Sequence, residues 1–68
     1  MFEGVSDEVR AEARKILEEV RKQRDAAERH RDRALADGGG DAYLFWVRIH
    51  RELHLAQGRI GNDVEGIQ

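Results

Sequence analysis

Leu35-Ala36-Asp37-Gly38-Gly39-Gly40-Asp41-Ala42-Tyr43-Leu44-Phe45-Trp46-Val47-Arg48-Ile49 is the stretch on which the fold turns. Its three consecutive glycines follow more than thirty residues without a proline or a glycine. Glycine takes the left-handed conformation at a helix C-terminus without a Cβ penalty, so a long first helix is expected to stop here. Asp41 then reads as the N-cap of a second helix, its carboxylate placed to accept from an orphan backbone N–H. A connection of three or four residues forces two helices to lie antiparallel. The fold class expected is therefore all-α, an antiparallel helical hairpin.

Upstream, Ser6 is the N-cap candidate, and Asp7 and Glu8 sit where the helix dipole favours negative charge. The positions Val9, Ala13, Ile16, Val20, Gln23, Ala27, His30 and Ala34 alternate by four and three, the spacing of a seam packed at about 3.5 residues per turn. The first helix is expected over about 7–36. Downstream, Ala42, Trp46, Ile49, Leu53, Ala56 and Ile60 repeat the same alternation. Gly58 or Gly61 should end the second helix, giving about 42–58 and leaving 61–68 as a polar tail expected to be mobile.

The 68 residues make one small domain, and of its 40% apolar residues eight are alanine. Chains this short bury only about 60% of their unfolded surface and often lean on disulfides, metals or partner subunits. With no cysteine, a disulfide framework and a thiolate zinc site are excluded. Twelve basic residues against 14 acidic ones argue against a surface built throughout for nucleic acid or anionic lipid. The longest apolar run, 42–47, falls far short of the ~20 residues a membrane span needs. No basic and then apolar leader is visible at Met1-Phe2-Glu3-Gly4-Val5, so a cytoplasmic protein without membrane partners is expected.

Folding the chain about Gly39 sets residue i opposite roughly 78 − i, with His30 near Arg48 and Val20 near Gly58. On these boundaries the first helix outreaches the second by about a dozen residues, which carry Val9, Ile16, Leu17 and Val20. Tyr43, Leu44, Phe45, Trp46, Val47 and Ile49 span every direction around the second helix, and an all-round apolar helix is buried on more than one side. The expectation is a homodimer forming a four-helix bundle, with an interface drawn from Tyr43, Phe45, Trp46, Ile49, Val9, Ile16, Leu17 and Val20. The alternative is a monomer in which Phe2, Val5, Ile60, Val64 and Ile67 fold back over the same surface.

His50 and His54, four apart, put two imidazoles on one helical face, and His30 could supply a third metal ligand. Flanking histidines and one satisfied seam histidine remain the simpler account, and no metal or other cofactor is expected. Glu52 lies two positions after His50 instead of directly after it, so the zincin pattern is absent. Catalysis has little support, with one serine, no threonine and no cysteine to act as nucleophile. The triple glycine is flanked by Asp37 and Asp41, which would repel a phosphate.

Arg21, Lys22, Arg24, Arg29, Arg31 and Arg33 stand against only three acids within 21–33, a stripe that could bind nucleic acid. However, Glu18 with Lys22 and Asp25 with Arg29 fall at the acid-first i,i+4 spacing, which suits an ion-paired solvent face better.

The Gly/Asp turn followed by Trp46 and Ile49 resembles a pattern in small uncharacterised bacterial helical-hairpin proteins, over about a quarter of the chain. That resemblance implies a short helical hairpin and no assigned activity. In overall plan the chain also resembles small dimeric helical-hairpin regulators that bind RNA. The function expected is a non-enzymatic protein-interaction module, a bacterial or phage regulator of the antitoxin or inhibitor kind, with nucleic-acid binding as the alternative.

Overall fold

A computed structural model describes residues 4–65 as two helices, α1 (Asp7–Ala36) and α2 (Gly40–Glu65), packed along their length, with no strand among the described residues. The Ser6 hydroxyl accepts from the Val9 backbone N–H at 3.3 Å, and Asp7 and Glu8 occupy the first turn, as the N-terminal sequence demands. At the other end the Gly39 N–H donates to the Ala34 carbonyl at 2.8 Å and the Gly38 N–H to Leu35 at 3.2 Å. This is the Schellman pattern that satisfies the last carbonyls of a helix. Gly38, Gly39 and Gly40 all have positive φ (115°, 75° and 74°), a run that residues with a Cβ adopt only under strain.

The second helix differs from its expected 42–58 span. It begins at Gly40, so Asp41 lies inside the first turn, where its charge complements the helix dipole, and is not the cap. It also runs through Gly58 and Gly61 to Glu65. A glycine in a helix interior costs about 1 kcal/mol relative to alanine, which packing can offset. Here Ile60 is half-buried and Val64 is 5% exposed, and the Arg10 guanidinium donates to the Val64 carbonyl at 2.6 Å. That carbonyl is one of the last four of α2, which have no acceptor role inside the helix, so α1 caps the end of α2. The expected mobile tail is thus helical over 61–65, and positions 66–68 fall outside the described residues.

This extension removes most of the predicted overhang, since α1 has 30 residues and α2 has 26. The pairing rule holds along the whole hairpin. His50 meets Glu28, His30 meets Trp46, Arg24 bonds Gln57 and Arg10 bonds Val64, with summed positions between 74 and 81. Of the residues in the fold-back alternative, Ile60 and Val64 reach α1 by helix continuation and pack in the seam, while Val9 and Ile16 stay exposed. Phe2 and Ile67 lie outside the described residues.

The contact face is turned by one residue from the predicted seam. On α1 the buried or half-buried residues include Arg10, Ala13, Leu17, Val20, Arg24, Ala27, Arg31 and Ala34, and on α2 Tyr43, Trp46, His50, Leu53, Gln57, Ile60 and Val64. Ala13, Val20, Ala27, Ala34, Trp46, Leu53 and Ile60 belong to both versions. Val9, Ile16, Gln23 and His30 give way to Arg10, Leu17, Arg24 and Arg31. Leu17 is 2% exposed and Ile16 61%. The arginine stems lie in the seam while their head groups reach polar partners at its edge, Val64 and Gln57 across the hairpin and Asp32 on α1 itself.

Gly58→Ala and Gly61→Ala should each stabilise the fold by ~0.5–1 kcal/mol, since a Cβ at either site meets nothing within 4 Å. Gly39→Ala, at positive φ, should instead destabilise by ~1 kcal/mol or more. Urea unfolding of the three variants measures both signs.

Candidate functional site

With the seam assigned, the 3.5-residue repeat sorts the remaining side chains onto two broad sides of the hairpin. Val9, Ile16, Gln23 and His30 form a row along one side of α1, and Ala42, Ile49, Ala56 and Asp63 form the matching row of α2. One contact joins the two rows directly and a second joins the α1 row to the seam of α2. Val9 and Asp63 line the same cleft, and His30 stacks on Trp46 with ring centroids 4.5 Å apart and planes 17° apart. Phe45 stands edge-on to Trp46 at 5.4 Å on this side. Val9 (57%), Ile16 (61%) and Phe45 (58%) are exposed, and Ile49 is half-exposed.

Of the residues expected to form an interface, the structure therefore brings Val9, Ile16, Ile49 and Phe45 to one side, with Trp46 at its edge. Leu17 is buried in the seam, and Val20 and Tyr43 are half-buried there. Leu35 (56%) and Leu44 (62%) are also exposed, beside the turn on the opposite side, and sequence reasoning did not single them out. Their rows could be assigned only once the seam was known.

At the open end, Val5, Val9, Arg10, Ala13, Asp63 and Val64 line an apolar cleft of about 240 Å³. It exists because α2 reaches Val64, and so it could not be read from a helix ending near 58.

The three histidines do not converge. His50 occupies the seam, its Nε2 3.5 Å from the Glu28 carboxylate, and its ring lies parallel to that of His54 at 6.4 Å. His30 is on the other side, against Trp46. Among the described residues no group of three or more His, Cys, Asp or Glu is placed to hold a metal ion.

The six-residue basic stripe is likewise divided. Arg24 and Arg31 are turned into the seam and bond Asp25 and Asp32. Arg21 pairs with Glu18 and Lys22 with Glu19, both at i,i+3. The anticipated i,i+4 partners, Glu18 with Lys22 and Asp25 with Arg29, are not the ones used. Arg29 and Arg33 are exposed. The stripe is thus not a continuous cationic face.

No described helix is long and apolar enough to cross a membrane. Comparison with protein-family models, curated proteins and solved structures finds no match.

The split of the stripe separates packing from charge. Arg24→Ala should destabilise the hairpin by ~1–2 kcal/mol, and Arg24→Met should recover much of that because the apolar stem is what the seam holds. Arg29→Ala, on the solvent face, should stay within ~0.5 kcal/mol of the parent in the same urea titration.

Proposed function

We propose that this chain is a non-enzymatic protein-interaction module that acts as a homodimer, two hairpins stacked side on side into a four-helix bundle. The observation that carries this reading is the exposure of Val9, Ile16 and Phe45 along one side, in line with Ile49. A protein domain needs two packed layers to enclose a core, and one hairpin is a single layer. The principal extents are 50 × 19 × 13 Å. A broad side of that size is of the order of the ~800 Å² that each partner contributes to a standard stable interface.

The reading extends to a regulator of the antitoxin or inhibitor kind, which would use the dimer to occupy a partner protein's surface. Leu35 and Leu44, on the opposite side, remain uncovered by such a dimer and are its candidate partner contacts. Nucleic-acid binding gains no support from the basic residues, since four of the six have carboxylate partners.

Light scattering at a few hundred micromolar should give twice the chain mass of 7.8 kDa. Ile16→Glu combined with Phe45→Glu should give the single-chain mass with helicity retained, whereas Leu44→Glu should leave the dimer intact. A parent protein that scatters as a monomer would overturn the reading.

A further inference from the structure

The apolar side carries a knob at one end and a hole at the other. Phe45 is the knob, 58% exposed near the turn. The cleft of about 240 Å³ between Val5, Val9, Ala13 and Val64, with Arg10 and Asp63 also lining it, is the hole, near the open end. Phe45 lies level with the part of α1 near His30, whose ring contacts that of Trp46 next to it. The cleft lies level with Val9 and Ala13. The two are about 20 residues of α1 apart, or ~30 Å at 1.5 Å per residue, so no chain can seat Phe45 in its own cleft.

Resting on the dimer reading above, we propose that the occupant of the cleft is Phe45 of a second copy, and that the copies therefore stack head to tail. A two-fold axis across the long direction makes this contact twice, once at each end, and closes the assembly at two chains. The register it sets brings further residues together. If Phe45 lies over the partner's Val64, the same relation brings Ile49 over the partner's Ile60 and Arg33 over the partner's Glu12. Near the axis lie Ala26 and Ala56, small enough for the two layers to approach closely.

Charge is compatible with the same orientation. Bordering this side, Glu12, Glu19 and Asp63 lie towards the open end with Arg59, Glu52 lies midway, and Arg33 lies towards the turn. Head-to-tail stacking puts Arg33 on the acidic end of the partner. Stacking in the same direction pairs Glu19 with the partner's Arg59 but sets Glu12 against the partner's Asp63, and like charges across an interface are disfavoured.

The chain has no cysteine, so one spin label can be attached through Asp37→Cys in the exposed turn of the full chain. Head-to-tail dimers place the two turns at opposite ends, about 29 residues of helix or ~45 Å apart. A dipolar distance of about 45 Å, together with a rise of at least ten-fold in the dimer dissociation constant for Phe45→Ala and none for Leu44→Ala, supports the proposal. A dimer with turns closer than about 25 Å, or one indifferent to Phe45→Ala, overturns the arrangement and leaves the interaction-module reading standing. A single-chain mass with no intermolecular dipolar signal overturns both.

Discussion

Two helices side by side make a layer, and a layer cannot surround a side chain. Most features of this protein follow from that constraint. Only Leu17, Ala27 and Val64 are buried among the described residues, and none is below 2% exposed. With so little enclosed volume, stability rests on the linear seam, on the capped ends and on the turn. The Ser6 cap, the Schellman arrangement at Gly38 and Gly39, and the Arg10 contact to Val64 each satisfy backbone groups that a larger core would otherwise help to shield. The exposed ion pairs such as Glu12 with Lys15 contribute little, since their side chains are largely in water.

The thinness also explains why arginines occupy seam positions. A stem of three methylenes can cover apolar surface in a shallow seam and still deliver its guanidinium to the edge. Arg10, Arg24 and Arg31 do this, sharing with Leu17 the row that repeats every seven residues. In a thicker core each would need a buried counter-charge with its desolvation penalty. The same geometry sends Val9 and Ile16 outwards, because the row adjacent to a seam in a two-helix layer faces solvent unless a second layer covers it. Surface apolar residues are ordinary when scattered, and become informative when aligned along one side.

The candidate surface was partly legible before the structure. Val9, Ile16, Ile49 and Phe45 were recognisable as more apolar than one hairpin could use, for Val9 and Ile16 on a mistaken reason. On the boundaries read from the sequence, Val9 and Ile16 are left over because α2 stops short, whereas Ile49 and Phe45 are left over because the apolar residues of α2 point all round it. In the structure α2 does not stop short, and Val9, Ile16 and Ile49 face outwards because the seam is turned by one residue. The sequence pattern could not distinguish the two versions, since Ala13, Val20, Ala27 and Ala34 complete a four-and-three alternation with either set. A hydrophobicity pattern counts arginine as polar, which favoured the set with Val9 and Ile16. The cleft beside Val64 was not legible at all, because it depends on where α2 ends.

What the amino-acid sequence determined by itself is the local chemistry. It set where α1 starts, at Ser6, and where it stops, at the glycines, and it set the antiparallel pairing by the shortness of the turn. These are properties of backbone conformations and nearest neighbours, and the residues that carry them act within one turn of a helix. The tertiary structure decided the rest. It carried α2 through Gly58 and Gly61, selected Arg10, Leu17, Arg24 and Arg31 for the seam, and placed His30 over Trp46 and away from His50. Each of those outcomes is a competition between residues far apart in the chain. Burial of Val64 and the reach of Arg10 outweigh two glycine penalties only once the helices lie side by side.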